Sequence, residues 1–171
     1  AGSDIGINQK TDGHIEVSLG LGDSVRQVVT LNPQAGSSSV FRIEQRYETS
    51  LSLQDEGPHM DLLDWKHSVS EWRELESSDD NSFLMQEPQK LSFPDVSREE
   101  IIQAVRQKLE QWQDEGYDLG ERWVTLAEKC ESAFDYPCSV GVSKVTLRIS
   151  VSIQSQWQQL LLIDFLVPLG C

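Results

Sequence analysis

Apolar and polar side chains alternate through much of the first half of this chain, and the alternation predicts strands. His14-Ile15-Glu16-Val17-Ser18-Leu19 alternates, Gly20-Leu21-Gly22-Asp23 supplies turn residues, and Val25 to Leu31 returns as a second strand that ends at Asn32-Pro33. After a loop rich in Gly and Ser (Gln34 to Ser39), Phe41, Ile43, Tyr47, Leu51 and Leu53 share one parity, with Arg42, Glu44, Arg46, Glu48 and Ser50 on the other. That pattern is a half-buried strand. Gln45 and Thr49 fall on its buried parity, so its far end is expected at a sheet edge or twisted out of the core. Together these strands make an N-terminal antiparallel β-meander.

Residues 60–76 fit two periods at once. Leu62, Trp65, Val69 and Trp72 recur at helical spacing, whereas Leu63, Trp65, His67 and Val69 recur at strand spacing. Ser68-Val69-Ser70 is a poor helix centre, and Glu71 to Leu75 with Phe83-Leu84-Met85 reads as a hairpin, so the segment is assigned as extended.

The pattern then changes to a period of 3.6. Ser97 and Glu100 form a capping box, Ile101, Ile102, Val105, Leu109 and Trp112 form an apolar stripe, and Gly116 suits the C-terminal left-handed position. This predicts a helix over about residues 98–115. A second helix, about 119–133, presents Leu119, Trp123, Leu126, Ala127 and Cys130 on one face and stops before Tyr136-Pro137. Val145, Leu147, Ile149, Val151 and Ile153 then alternate with polar residues, and Leu160 to Val167 is apolar on both parities. The pair predicts a C-terminal β-hairpin that joins the sheet, its second strand central, covered on both faces and with helices on one of them. The resulting fold class is α+β, a single domain spanning residues 1–171, of ordinary size for one core.

Charge is uneven along this frame. Residues 51–100 carry thirteen Asp and Glu against four Lys and Arg, a net −9 of the chain's −14. A field of that sign attracts cationic partners and repels phosphate backbones and anionic lipid headgroups, so neither nucleic acid nor a membrane is expected as a ligand. The longest apolar run, Leu160 to Pro168, contains Asp164 and is far too short to span a bilayer. No signal-peptide pattern opens the chain, and cytoplasmic residence is the expectation. Cys130, Cys138 and Cys171 are odd in number and lack C-x-x-C spacing, which favours free thiols over a disulfide or a zinc site. A Cys130–Cys138 bridge is the alternative, and it would weaken the cytoplasmic expectation.

Candidate chemistry is sparse. His59, Asp61, Asp64 and His67 could converge on a metal only if the segment were helical, because on a strand Asp64 leaves the face of His59 and Asp61. No metal and no cofactor is expected. Asp64 could orient His67 as a general base, but no nucleophile motif accompanies the pair. Gly20-Leu21-Gly22-Asp23 precedes a strand rather than a helix and reads as a turn, not a phosphate loop. Asp164, inside an apolar strand, needs a partner, and Arg148 on the neighbouring strand is the candidate.

Acid interleaved with Trp is the remaining feature. Asp61, Asp64, Trp65, Glu71, Trp72, Glu74, Asp79 and Asp80 are the expected contact residues of a steered interface, with carboxylates accelerating encounter and Trp supplying desolvated anchors. The expected class is a small, acidic, non-catalytic module that binds a basic protein, such as a toxin or an enzyme. In size and charge the chain resembles bacterial immunity proteins, a likeness of composition without a shared motif. The alternatives are an α+β enzyme or small-molecule binder with a pocket between sheet and helices using His67 and Asp164, and an adaptor or structural subunit that pairs through a strand edge.

Overall fold

The computed structural model describes residues 6–9, 12–33, 38–65, 68–78, 81–116 and 120–168. Along the chain these form β1 (Gly6–Gln9), β2 (His14–Ser18), β3 (Val28–Thr30), β4 (Phe41–Gln54), β5 (His59–Leu62), β6 (Ser68–Val69), β7 (Arg73–Glu74), β8 (Ser82–Leu84), α1 (Arg98–Asp114), α2 (Arg122–Ala127), β9 (Cys138–Ile153) and β10 (Gln156–Leu166). Strands take up 42% of the protein and helices 16%, so the fold is mainly β and the α+β expectation is corrected. Two causes account for the difference. Strands as short as β6 and β7 are too brief to show a period, and the helix expected over 119–133 is reduced to the six residues of α2, Leu119 lying outside the described residues.

Two compact units divide the chain. The first comprises Ala1–Tyr47, Ser70–Gln89 and Lys144–Pro168, and the second comprises Glu48–Val69, Lys90–Ser143 and Leu169–Cys171. The long strands β4 and β9 each give one part to each unit.

In the first unit β2 pairs antiparallel with β1 and parallel with β10, with Val17 opposite Phe165 and Glu16 opposite Asp164. The expected N-terminal meander is therefore absent. β3 pairs instead with β8 as a separate two-stranded sheet. The reason lies in the apolar faces: Val17 and Leu19 are buried while Val28 is 64% exposed, so β3 offers β2 nothing to cover. Residues 71–75 likewise do not pair as a hairpin with 83–85. β7 joins β4 through Glu44–Glu74 and Gln45–Arg73, and the Leu75 N–H donates to the Ile43 carbonyl at 2.9 Å, which brings Leu75 into the core.

The C-terminal hairpin forms, with Gln154 and Ser155 at φ 50° and 62° as the two left-handed residues of a tight turn. β10 begins at Gln156, ahead of the apolar run, where it pairs with β9 directly after the turn through Gln156–Ile153 and Trp157–Ser152. It is not covered on both faces: residues 156–160 are exposed, Leu161 to Ile163 are half-buried, and Asp164 and Phe165 are buried.

The second unit has its own core. Leu51 and Leu53 of β4, Met60 and Leu62 of β5, Ile101, Ala104 and Val105 of α1, and Trp123, Val124, Leu126 and Ala127 of α2 pack in one cluster. Residues Glu48 to Leu53 of β4 are buried on both parities, so the far end of the strand does not twist out to an edge. The polar parity is satisfied: the Ser50 hydroxyl meets Ser143 at 2.7 Å and Ser52 meets Ser139 at 2.8 Å.

The capping box at the start of α1 forms as its sequence dictates. The Glu100 N–H donates to Ser97 Oγ at 3.3 Å, and the Ser97 N–H donates to Glu100 Oε2 at 2.7 Å. Gly116 follows the helix at φ 91°. Ser97→Ala is expected to cost about 1 kcal/mol, seen as a lower urea midpoint with an unchanged slope.

α2 ends at Ala127, and the chain turns at Cys130 into a bridge with Cys138, the two Cα atoms 6.1 Å apart. The free-thiol expectation is corrected. Spacing alone could not reveal that the turn after α2 brings two buried sulfurs together. Among the described residues, no helix is long and apolar enough to cross a membrane.

Candidate functional site

The site grows from the alternation of β4. Arg42, Glu44 and Arg46 lie on one face of this strand, and Phe41, Ile43 and Gln45 lie on the other. Across from them β7 leads into Leu75, Glu76 and Ser77, and Ser77 bridges to Phe83 of β8. Leu75 and Phe83 turn inward, at 5% and 3% exposure, while Glu74 and Glu76 remain exposed. The result is an open cleft of about 610 Å³ lined by Phe41, Arg42, Glu74, Leu75, Glu76, Ser77 and Phe83.

Electrostatics fix the sign of this cleft. Arg42 Nε lies 3.3 Å from Glu44 Oε1, and its guanidinium stands 4.6 Å above the Trp157 ring, so it is drawn towards both. Glu44 is also held by Arg148 through a forked pair at 3.2 and 2.9 Å. Glu74, directly opposite Glu44 on the paired strand, has no cationic partner among the described residues, and neither does Glu76. Two unmatched carboxylates thus rim an apolar floor.

The other expected contact residues divide between the units. Trp72 belongs to the first unit, but its ring is covered by Arg148 at 4.2 Å and Arg46 at 4.5 Å, so it is no bare anchor. Glu71 is exposed in the same unit. Asp61, Asp64 and Trp65 belong to the second unit. There Asp61 pairs with Lys108 at 3.7 Å, Trp65 packs against the core cluster, and Asp64 is exposed at a small cavity of about 60 Å³. Asp79 and Asp80 lie outside the described residues, as does His67.

Of the expected contact residues, Glu74 lies at this cleft, whereas the floor of Phe41, Leu75 and Phe83 was not among them. Phe41, Leu75 and Phe83 looked like ordinary alternating core positions, and the lone sign of a cleft was the interruption of their pattern by Glu74 and Glu76.

Asp164 has a structural setting in the first unit. Its carboxylate accepts from the Thr146 hydroxyl at 2.6 Å and meets His14 Nε2 at 2.5 Å. Arg148, the expected partner, is opposite Leu162 in register and turns to Glu44 instead. Burial raises the pKa of the Tyr47 phenol above its ordinary value, aided by Glu87 and opposed by Arg73, and its hydroxyl donates to the Gln86 carbonyl. In the second unit the Asp55 carboxyl is held below its ordinary value, first by the Glu56 N–H, which outweighs the opposing effect of burial, and further by Arg122 and Lys129. Among the described residues, no three His, Cys, Asp or Glu side chains converge on a point that could hold a metal.

Fold and site together define a mainly β protein with an acidic-rimmed cleft. Compared with protein families, with curated proteins and with solved structures, the chain finds no match.

Proposed function

We propose that this chain is a non-catalytic binding module whose first unit takes a basic segment of another protein, in the manner of a stoichiometric inhibitor. One observation carries the reading: Glu74 and Glu76 stand above the apolar floor of Phe41, Leu75 and Phe83 with no cationic partner among the described residues, while the nearby Arg42 is drawn to Glu44 and the Trp157 ring. Such a cleft suits a Lys or Arg side chain flanking an apolar one. The carboxylates favour encounter, and the floor supplies burial. An immunity-type inhibitor of a basic toxin or enzyme is the concrete form of this reading.

The Cys130–Cys138 bridge supports an oxidising compartment over the cytoplasm, because thiol-reducing systems keep cytosolic cysteines apart.

Reversing both rim charges, Glu74→Lys with Glu76→Lys, tests the cleft. Binding of a blocked Lys-Phe-Lys peptide, followed by calorimetry at low salt, is expected to weaken by roughly tenfold or more. Unchanged affinity in the folded double variant would remove this reading.

A further inference from the structure

The second unit holds a different cavity, of about 220 Å³, lined by Phe93, Pro94, Asp95, Val96, Glu131, Ser132, Ala133 and Phe134. One wall is the segment that leads into the Ser97 cap, and the other is the loop between Cys130 and Cys138. We propose that this cavity is a recognition pocket for a single arginine side chain presented by a protein partner.

Its size, lining and charge support the same occupant. The volume lies below the roughly 300–1,000 Å³ of pockets for drug-sized ligands, so the cavity fits one side chain rather than a cofactor. The lining is apolar and aromatic at Phe93, Val96, Ala133 and Phe134, which suits a guanidinium plane lying against a ring. Among the described residues, Asp95 and Glu131 are exposed carboxylates without a cationic partner, and no Lys or Arg lines the cavity. Arg98, the nearby cation, is not among the lining residues, and its Nε is turned to the loop, donating to the Cys130 carbonyl at 3.0 Å.

The loop is also organised in advance of any partner. The bridge closes it, the Ser132 hydroxyl donates to Asp135 Oδ2 at 2.6 Å, the Phe134 N–H donates to Ser132 Oγ at 3.2 Å, and the Cys138 N–H donates to the Asp135 carbonyl at 2.9 Å. A pre-ordered loop loses little conformational freedom on binding. That same loop holds Phe134 at 53% and Tyr136 at 68% exposure, large side chains that the fold of the second unit does not use for its core. Exposed aromatics on a rigid loop beside an acidic, apolar-lined cavity form a docking surface for a basic residue. This pocket does not depend on the cleft of the first unit.

The test titrates the full chain with N-acetyl-arginine methylamide and, separately, with its uncharged citrulline counterpart, while the amide signals of residues 93–96 and 131–134 are followed by NMR. The arginine compound is expected to shift these signals saturably, and the citrulline compound to bind at least threefold more weakly. Phe134→Ala and Glu131→Gln, both exposed positions, are expected to weaken the arginine compound by roughly threefold each without changing the melting temperature. Equal response to the two compounds, shifts confined to other residues, or full affinity in both variants would overturn the proposal. If Glu74→Lys with Glu76→Lys leaves these shifts intact, the two sites are separable, and either reading can fail alone.

Discussion

Replacing Asp164 with alanine is expected to lower stability by about 3 kcal/mol, the larger of the two main effects foreseen for this chain. The carboxylate is 7% exposed and bonds to both Thr146 and His14. Bonds to a charged group are worth about 1.5–3 kcal/mol each, and their loss strands the Thr146 hydroxyl, itself only 4% exposed. The His14 contact also ties β2 to β10, whose backbones pair in parallel over residues 14–18 and 162–166. Asp164→Asn keeps an acceptor for Thr146 and is expected to cost less than half as much. Urea unfolding of the two variants measures both values, and a loss under about 1 kcal/mol for the alanine variant would show that the carboxylate holds nothing together.

The second large effect belongs to the bridge. Cys130 and Cys138 are separated by 8 positions, and closing so short a loop removes about 2.5 kcal/mol of chain entropy from the unfolded state. Both residues lie within the core cluster of the second unit, at 0% and 4% exposure, so alanine fills much of the same space without introducing a polar atom. The double variant Cys130→Ala with Cys138→Ala is expected to melt at a lower temperature than the oxidised protein. A reductant that reaches the bridge on unfolding is expected to lower the melting point of the native protein but not that of the double variant. Equal sensitivity of the two proteins to reductant contradicts the bridge.

These cases also show how far the sequence could be read. Where one residue's partner lies a few positions away, the pattern decides the structure: the Ser97 and Glu100 box formed, and the alternations from Phe41 and from Val145 became β4 and β9. Where the partner lies far along the chain, the pattern identifies a need but not the group that meets it. Asp164 required a partner, and His14, 150 positions away, supplies it instead of Arg148. The parallel joining of β2 and β10 is hidden for the same reason, since alternation marks a buried face but not the neighbouring strand.

Helix length failed for a local reason. Trp123, Leu126, Ala127 and Cys130 keep helical spacing, but the last of them sits in a turn beyond α2, where burial of the sulfur continues the apolar stripe without the helix. The candidate site was half legible. Its charge was visible in Glu74 and Glu76, whereas its floor needed β4, β7 and β8 to bring Phe41, Leu75 and Phe83 together from separate segments.

The central claim is that the cleft of the first unit receives a basic segment with an apolar residue beside its cation. Titration of the native chain with a blocked Lys-Phe-Lys peptide, mapped by amide NMR at low and high salt, tests it most directly. The account predicts saturable shifts centred on Leu75, Ser77 and Phe83 that weaken as ionic strength rises. Shifts absent from those residues, or present but insensitive to salt, contradict it.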